Sequence, residues 1–188
     1  RISFDLLALK LDSNVRAQNV HISQPAPLPA PPKPRILNPI PQPEAKMLRN
    51  IPPILSPAIL HDLRAMGHGD EIVISDANFP GPGLGPTCHR LDGIPATDVL
   101  RAVLALMPLD SFVPDPALTM QVVDDPQAVP EIVEDFQSII NEVADNPAPV
   151  TSLERFAFYD RARTAFAVIQ TGETRFYGNI IIKKGVIG

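Results

Sequence analysis

A histidine between two glycines is the residue of this chain best suited to proton chemistry. In the run Met66-Gly67-His68-Gly69-Asp70-Glu71 it stands where a helical pattern ends and an apolar strand pattern begins. Imidazole has an ordinary pKa of about 6.5 and exchanges protons at neutral pH. The flanking glycines leave little side-chain bulk between His68 and a ligand. Asp76 follows the strand, and we expect it either to orient His68 or to bind a ligand hydroxyl.

Two further groups of residues are suited to binding a polyhydroxylated ligand. Arg155 and Tyr159 are four residues apart in a helical pattern, so a guanidinium and a phenol share one face. Pairing of Arg155 with Asp160 or a neighbouring carboxylate on a solvated face explains that spacing equally well. Tyr177-Gly178-Asn179 precedes an apolar strand and offers a phenol and a carboxamide to hydroxyl groups. We expect Gly178 to let a ligand approach the backbone, although ordinary turns have the same composition.

Helices and strands that would carry these residues alternate through residues 47–188. Hydrophobic periodicity and capping signals predict helices over about 57–66, 96–107, 130–143 and 153–163, and strands over 71–75, 87–91, 118–123, 165–170 and 177–183. Ser56-Pro57 marks the first helix start, and Gly67 is expected to end that helix in a left-handed conformation. Residues 78–86 are too rich in glycine and proline for regular structure.

The order of these elements predicts an α/β fold. We expect a single three-layer domain over 47–188, with a mixed sheet flanked by helices. The last two strands flank Thr171-Gly172-Glu173-Thr174, which indicates a hairpin, with a parallel route also open.

The composition fits one globular domain and excludes several classes of function. The 188 residues are 45% apolar and 20% charged, which is ordinary for such a domain. No apolar run reaches the roughly 18 residues of a membrane span, and the single cysteine, Cys88, is expected to be a packing residue. Residues 47–188 carry ten Lys and Arg against eighteen Asp and Glu, unlike a nucleic-acid binder. Phosphate loops, dinucleotide fingerprints and metal-ligand clusters are missing from the sequence.

We therefore expect no cofactor, no metal, no nucleic acid and no membrane partner, and a cytoplasmic location. Residues 1–46 are expected to form a separate Pro-rich arm, because nine of the nineteen residues in 25–43 are proline. Proline removes backbone donors and favours polyproline II or irregular structure. Met47 stands where the organised pattern begins, which fits a leader or linker, while recruitment of a partner by the arm stays open.

Residues 47–188 as a whole resemble the ribose pyranase/fucose mutarotase (RbsD/FucU) family, its fucose branch more than its ribose branch. The resemblance lies in ordered motifs at residues 51–57, 66–74, 76–80, 155–159, 171–173, 177–179 and 183–185. It implies an α/β subunit in a ring-like homo-oligomer with active sites at subunit contacts. The implied reaction is a cofactor-free interconversion of sugar anomers.

The resemblance also implies roles for individual residues. By position, His68 matches the family's proton donor, while Asp76, Arg155 and the Tyr177-Gly178-Asn179 segment match its sugar-binding positions, with Tyr159 beside them. Asn78 departs from members that carry histidine there. The implied substrate is L-fucose. The alternatives are a pyranase or mutarotase for ribose or another monosaccharide, and a sugar-binding or transport-associated protein without catalysis.

Overall fold

The computed structural model describes residues 48–188, and the expected arm at 1–46 lies outside this described part. Four helices and six strands follow one another along it. The helices are α1 (Pro57–Ala65), α2 (Ala96–Leu104), α3 (Glu131–Val143) and α4 (Arg155–Arg163). The strands are β1 (Glu71–Ser75), β2 (Thr87–Leu91), β3 (Ala117–Met120), β4 (Thr151–Leu153), β5 (Ala167–Thr171) and β6 (Ile180–Lys183), and a short 3₁₀ turn covers Gly81–Gly83. No helix in residues 48–188 has the length and apolar character needed to cross a membrane.

The six strands form one mixed sheet in the order β2-β5-β1-β6-β3-β4. Strand β1 pairs in parallel with β5 and antiparallel with β6. The predicted hairpin between the last two strands is therefore wrong, because β1 lies between them. Three consecutive apolar residues in β1, Ile72, Val73 and Ile74, are fully buried. A strand that is apolar on both faces belongs in the centre of a sheet, paired on both edges.

Helices cover both faces of the sheet, which confirms the predicted three-layer α/β architecture. Ile72 and Ile74 belong to the larger apolar core, which contains residues of α1, α2 and α3. Val73 points the other way, into a smaller core with Phe158 and Ala162 of α4. Alternation along one strand thus divides its side chains between two layers of helices.

The first helix starts as the sequence predicts but ends differently. Ser56 Oγ accepts a hydrogen bond from Ile59 N at 3.3 Å. Gly67 does not adopt the expected left-handed conformation; the glycine with positive φ in this turn is Gly69, at 87°. Lys184 Nζ instead donates to the carbonyl oxygens of Leu63 and Met66, at 2.7 and 2.5 Å. A lysine from the end of β6 thus satisfies the free carbonyls at the helix end, so no left-handed glycine is needed there.

Two boundaries in the second half of the domain also differ from prediction. Strand β3 ends at Met120 rather than 123. Residues 151–153, part of which the helical pattern included, form the edge strand β4. Helix α4 then begins after Glu154, whose carboxylate accepts hydrogen bonds from Phe156 N at 2.8 Å and Ala157 N at 3.2 Å. This cap fixes Arg155 at the first turn of the helix.

Candidate functional site

A cleft of about 430 Å³ opens where β1 and β3 end and where β6 and α4 begin. Its lining brings together five of the residues that the sequence predicts for the site: Asp76, Arg155, Tyr159, Tyr177 and Asn179. It also includes Asn78, Phe79, Met120, Val123 and Phe176, which sequence reasoning did not assign to the site. We refer to this space as the cleft.

Asp76 and Asn179 hold each other at the floor of the cleft. Asp76 N donates to Asn179 Oδ1 at 3.0 Å, and Asn179 Nδ2 donates to Asp76 Oδ2 at 2.8 Å. The other carboxylate oxygen, Asp76 Oδ1, accepts from Asn78 N at 2.9 Å. Both residues are about 95% buried. This reciprocal pairing orients the carboxylate and the amide before any ligand arrives.

Tyr177 enters the cleft from an unusual backbone conformation. Its φ is 64°, in the left-handed region that side chains other than glycine rarely adopt. Val123 N donates to the Tyr177 hydroxyl oxygen at 3.1 Å. Because the oxygen already accepts a hydrogen bond from the backbone, the phenolic hydrogen remains available to a ligand.

Gly178 serves packing between parts of the chain. A Cβ at this position would lie 2.8 Å from Glu173 Cγ, 3.2 Å from Arg175 O and 3.4 Å from Asp76 Cβ. Protein atoms therefore occupy the space through which we expected a ligand to approach. The glycine is needed because the site loop packs directly on its neighbours.

Arg155 and Tyr159 share one face of α4, as their spacing predicts. The Arg155 guanidinium carbon lies 5.8 Å from the Tyr159 ring centroid and 5.9 Å from that of Phe156. Tyr159 in turn stacks on Phe79, with ring centroids 5.6 Å apart. The alternative partner, Asp160, forms an ion pair with Arg163 instead. Aromatic faces thus hold the guanidinium beside the cleft.

His68 does not line the cleft of its own chain. It precedes β1, whereas Asp76 follows it, and a five-residue strand alone separates its ends by roughly 15 Å. Of the two roles expected for Asp76, orienting His68 within one chain is therefore wrong, and binding a ligand hydroxyl stays a prediction. The carboxylate beside His68 belongs to Asp110, with Nε2 and Oδ1 3.2 Å apart. Asp110 is 2% exposed and also accepts from Phe112 N at 3.0 Å.

Sequence reasoning missed Asp110 because 42 residues separate it from the histidine. The signal available was an aspartate immediately after the buried Leu109. The His68 side chain is 47% exposed, and its ring lies edge-on to that of Phe112, with centroids 5.4 Å apart. A half-exposed imidazole against a buried carboxylate is a common arrangement for general acid–base chemistry.

The residues that follow β6 contact both segments that meet at His68. Gly69 N donates to Lys184 O at 2.9 Å, which ties the histidine turn to this strand end. A Cβ on Gly185 would lie 2.7 Å from Leu109 O and 2.9 Å from Asp110 Cα. Only glycine allows the two segments to approach so closely. The Lys-Lys-Gly motif therefore brings Asp110 next to His68.

The mixed sheet flanked by helices and this cleft define an α/β protein with a polar and aromatic site at one end of the sheet. The site combines a fixed carboxylate, an amide, a phenol and a guanidinium with aromatic rings, a composition that suits hydroxyl-bearing ligands. The chain belongs to the RbsD / FucU transport protein family, whose model matches residues 49–187. That family comprises sugar mutarotases.

Solved structures agree with this assignment. The chain is similar to FucU from Bifidobacterium longum, with 39% identity and a TM-score of 0.70 over 74% of this chain and all of that one. It is also similar to the fucose mutarotase from Streptococcus pneumoniae solved in complex with L-fucose, with 40% identity and a TM-score of 0.70 over 75% and 100% of the two chains. Bacillus subtilis RbsD, solved with D-ribose, shares the fold at 24% identity, with a TM-score of 0.58 over 71% and 95% of the two chains.

Proposed function

We propose that the protein is a mutarotase that interconverts the α and β anomers of L-fucose by general acid–base catalysis. The observation that carries this proposal is the cleft itself, where Asp76 and Asn179 are locked together beside Tyr177 and Arg155. Similarity at about 40% identity to a fucose mutarotase solved with L-fucose supports it.

The reaction needs one positioned acid–base group and several clamps for hydroxyls. A proton is delivered to the ring oxygen and another leaves the anomeric hydroxyl. The hemiacetal then opens, C1 rotates about the C1–C2 bond, and the ring closes on the other face. His68 is proposed to transfer the protons, while Asp76 and Arg155 hold hydroxyls and Tyr177 with Asn179 closes the site. One positioned acid–base group typically accelerates such a step by about 10²–10⁴.

Asp110 supports His68 in this role. A carboxylate beside the ring holds its orientation and stabilises the imidazolium that forms when the ring takes up a proton. We propose that Nε2 donates to the Asp110 carboxylate in this contact, which leaves Nδ1 to face a substrate.

If His68 is the proton-transfer group, it must act from a second copy of the chain. Since His68 and the cleft lie at opposite ends of β1, the imidazole cannot act in the cleft of its own subunit. We propose that it enters the cleft of a neighbour in a homo-oligomer. Large apolar side chains are exposed near both ends: Phe112 beside His68, and Phe156 and Phe176 beside the cleft, at 71%, 69% and 76% exposure. Burying them at a subunit contact would be favourable.

The apolar side of the cleft favours a deoxy sugar. Met120, Val123 and Phe176 line it together with Phe79. L-Fucose carries a methyl group where L-galactose has a hydroxymethyl and D-arabinose has only hydrogen. A methyl group placed against apolar side chains stabilises the complex, whereas a hydroxyl there lacks a partner.

A second candidate is a monosaccharide-binding protein without catalysis. The observation in its favour is that the cleft of a single chain contains the hydroxyl-binding residues but no histidine. In that case sugar would bind without faster exchange between its anomers.

The deciding experiment is NMR exchange spectroscopy on L-fucose, with D-ribose and D-galactose alongside. The samples are buffer, the protein, His68→Ala and His61→Ala. His61 is the matched control, because it is 78% exposed on α1 and lies outside the cleft. Faster exchange of L-fucose that only His68→Ala abolishes supports the proposal. Binding of L-fucose without faster exchange, by folded and oligomeric protein, contradicts it and favours the second candidate.

A further inference from the structure

The turn between β5 and β6 is wound around one buried carboxylate. Glu173 Oε1 accepts hydrogen bonds from Thr174 N and Arg175 N, both at 3.1 Å, and from Arg175 Nε at 3.0 Å. Glu173 Oε2 accepts from Arg175 Nη2 at 3.0 Å. The guanidinium and carboxylate thus pair through two parallel bonds, while two backbone amides hold the same carboxylate.

This carboxylate is charged at neutral pH although Glu173 is only 5% exposed. The hydrogen bonds from Arg175 outweigh the opposing effect of burial and hold the pKa of the Glu173 carboxyl below its ordinary value. The same pairing raises the pKa of Arg175. Removing either partner would leave a poorly compensated charge in the turn.

Glu173 contacts the sequence neighbours of Asp76 and Asn179, the two residues at the floor of the cleft. Its carbonyl oxygen accepts from Ala77 N at 2.9 Å, which fixes the segment that follows Asp76. Its side-chain stem lies directly against Gly178, where an added Cβ would be 2.8 Å from Glu173 Cγ. Glu173 itself does not line the cleft. Its influence on a ligand must therefore pass through these neighbours.

Among these neighbouring residues, Tyr177 has a strained backbone conformation that its surroundings must stabilise. A residue other than glycine with φ of 64° is strained and persists only when its surroundings hold it in that conformation. Asn179 N donates to Tyr177 O at 2.7 Å, which closes the turn on its other side. On the N-terminal side of Tyr177, the turn is held by the Glu173 carboxylate, which accepts a hydrogen bond from the Arg175 backbone amide.

We propose that Glu173 is a positioning residue for the sugar site, which holds the 173–179 turn so that Tyr177 and Asn179 face the ligand. This inference rests on the mutarotase function proposed above. It assigns a task to the Thr-Gly-Glu motif, which otherwise contributes no group to the cleft.

Arg175 also reaches helix α3, and this link provides the control. Its Nη1 donates to Asp135 Oδ2 at 2.8 Å. Asp135 is 45% exposed, and an exposed ion pair contributes little to stability. Asp135→Asn therefore removes the negative charge that faces Arg175 and leaves the hydrogen bonds between Arg175 and Glu173 in place.

The test compares Glu173→Gln, Arg175→Gln and Asp135→Asn in the whole 188-residue chain. Glu173→Gln places an amide donor against Arg175 Nη2, whereas Arg175→Gln leaves the two backbone bonds to Glu173 intact. We expect kcat/KM for L-fucose to fall on the order of 10- to 100-fold in Glu173→Gln, less in Arg175→Gln, and to remain unchanged in Asp135→Asn. Most of the loss should appear in KM, because His68 is not on this turn. A smaller folded fraction would instead lower the apparent kcat and leave KM unchanged.

Limited proteolysis gives a readout that does not depend on catalysis. Trypsin cleavage after Arg175, detected by the mass of fragment 176–188, should accelerate in Glu173→Gln and not in Asp135→Asn. Unchanged KM and unchanged cleavage in Glu173→Gln would overturn the inference, as would an equal loss in Asp135→Asn. If the wild-type protein exchanges no sugar, the proposed function fails, and the proteolysis result alone decides whether Glu173 holds the turn.

Discussion

Two variants with little activity of their own are expected to regain activity when they assemble together. His68→Ala removes the proton-transfer group and leaves the cleft intact. Arg155→Ala removes a charged donor from the cleft and leaves His68 intact. Loss of a charged hydrogen bond costs about 2–3 kcal/mol, or roughly 30- to 150-fold in affinity. Neither variant alone should therefore show more than a few per cent of wild-type exchange at low L-fucose.

The expected recovery follows from the separation of His68 and the cleft at opposite ends of β1. A complete site then needs an intact cleft from one subunit and an intact His68 from another. If equal amounts of the two variants are unfolded together and refolded, half of all clefts and half of all histidines are intact. Random assembly therefore produces about a quarter of wild-type sites, for isologous and for head-to-tail contacts alike.

The assay is NMR exchange of L-fucose anomers on the refolded mixture, on each variant refolded alone, and on a mixture made without unfolding. The last sample controls for activity that does not need subunit exchange. A co-refolded oligomer of wild-type size that regains no activity would refute the reasoning, because it would mean that His68 and the cleft of one chain act together.

Three further outcomes are expected. Asp110→Asn keeps the shape of the side chain beside His68 but removes its charge, so kcat for L-fucose should fall by about tenfold or more with KM unchanged. L-Fucose should exceed D-arabinose in kcat/KM by about 10- to 200-fold, the usual worth of one buried methyl group; equal values would exclude the apolar wall as a specificity element. Burial acts to raise the pKa of the Glu71 carboxyl, but hydrogen bonds from Arg161 and Lys183 outweigh it and the pKa is lowered. Its stabilisation is thus complete above the unfolded-state pKa of about 4.3 and is lost as pH falls through the folded-state value. Urea unfolding should show Glu71→Gln less stable by about 3 kcal/mol at pH 7 and equal to wild type in strong acid.

Local physical chemistry accounts for the elements that sequence reasoning predicted well. The bounds of β1 and β2 match prediction. For β1 the reason is an apolar, β-branched run between turn residues, which permits few other structures. Helix α1 starts where Ser56 and Pro57 indicate, because the side-chain cap and the fixed φ act within one turn. Edge strand β4 was missed, since a three-residue strand has no periodicity and exists through pairing with β3.

The site residues also divide into those placed by local geometry and those placed by contacts between distant segments. Arg155 and Tyr159 share a face because helix geometry alone places residues four apart side by side. Asp76 meets Asn179 across 103 positions of sequence, a contact that the order of strands in the sheet creates.

The sequence by itself determined which residue types carry the chemistry and where each helix and most strands lie, because these depend on side-chain chemistry and on interactions within a few residues. Only the tertiary structure decided that β1 separates β5 from β6, that Asp110 rather than Asp76 accompanies His68, and that Glu173 lies beneath the site. The physical reason is that such contacts depend on how the buried apolar faces of distant segments pack together. Hydrophobic burial is non-directional, so it favours a common core without specifying which segments contact one another within it.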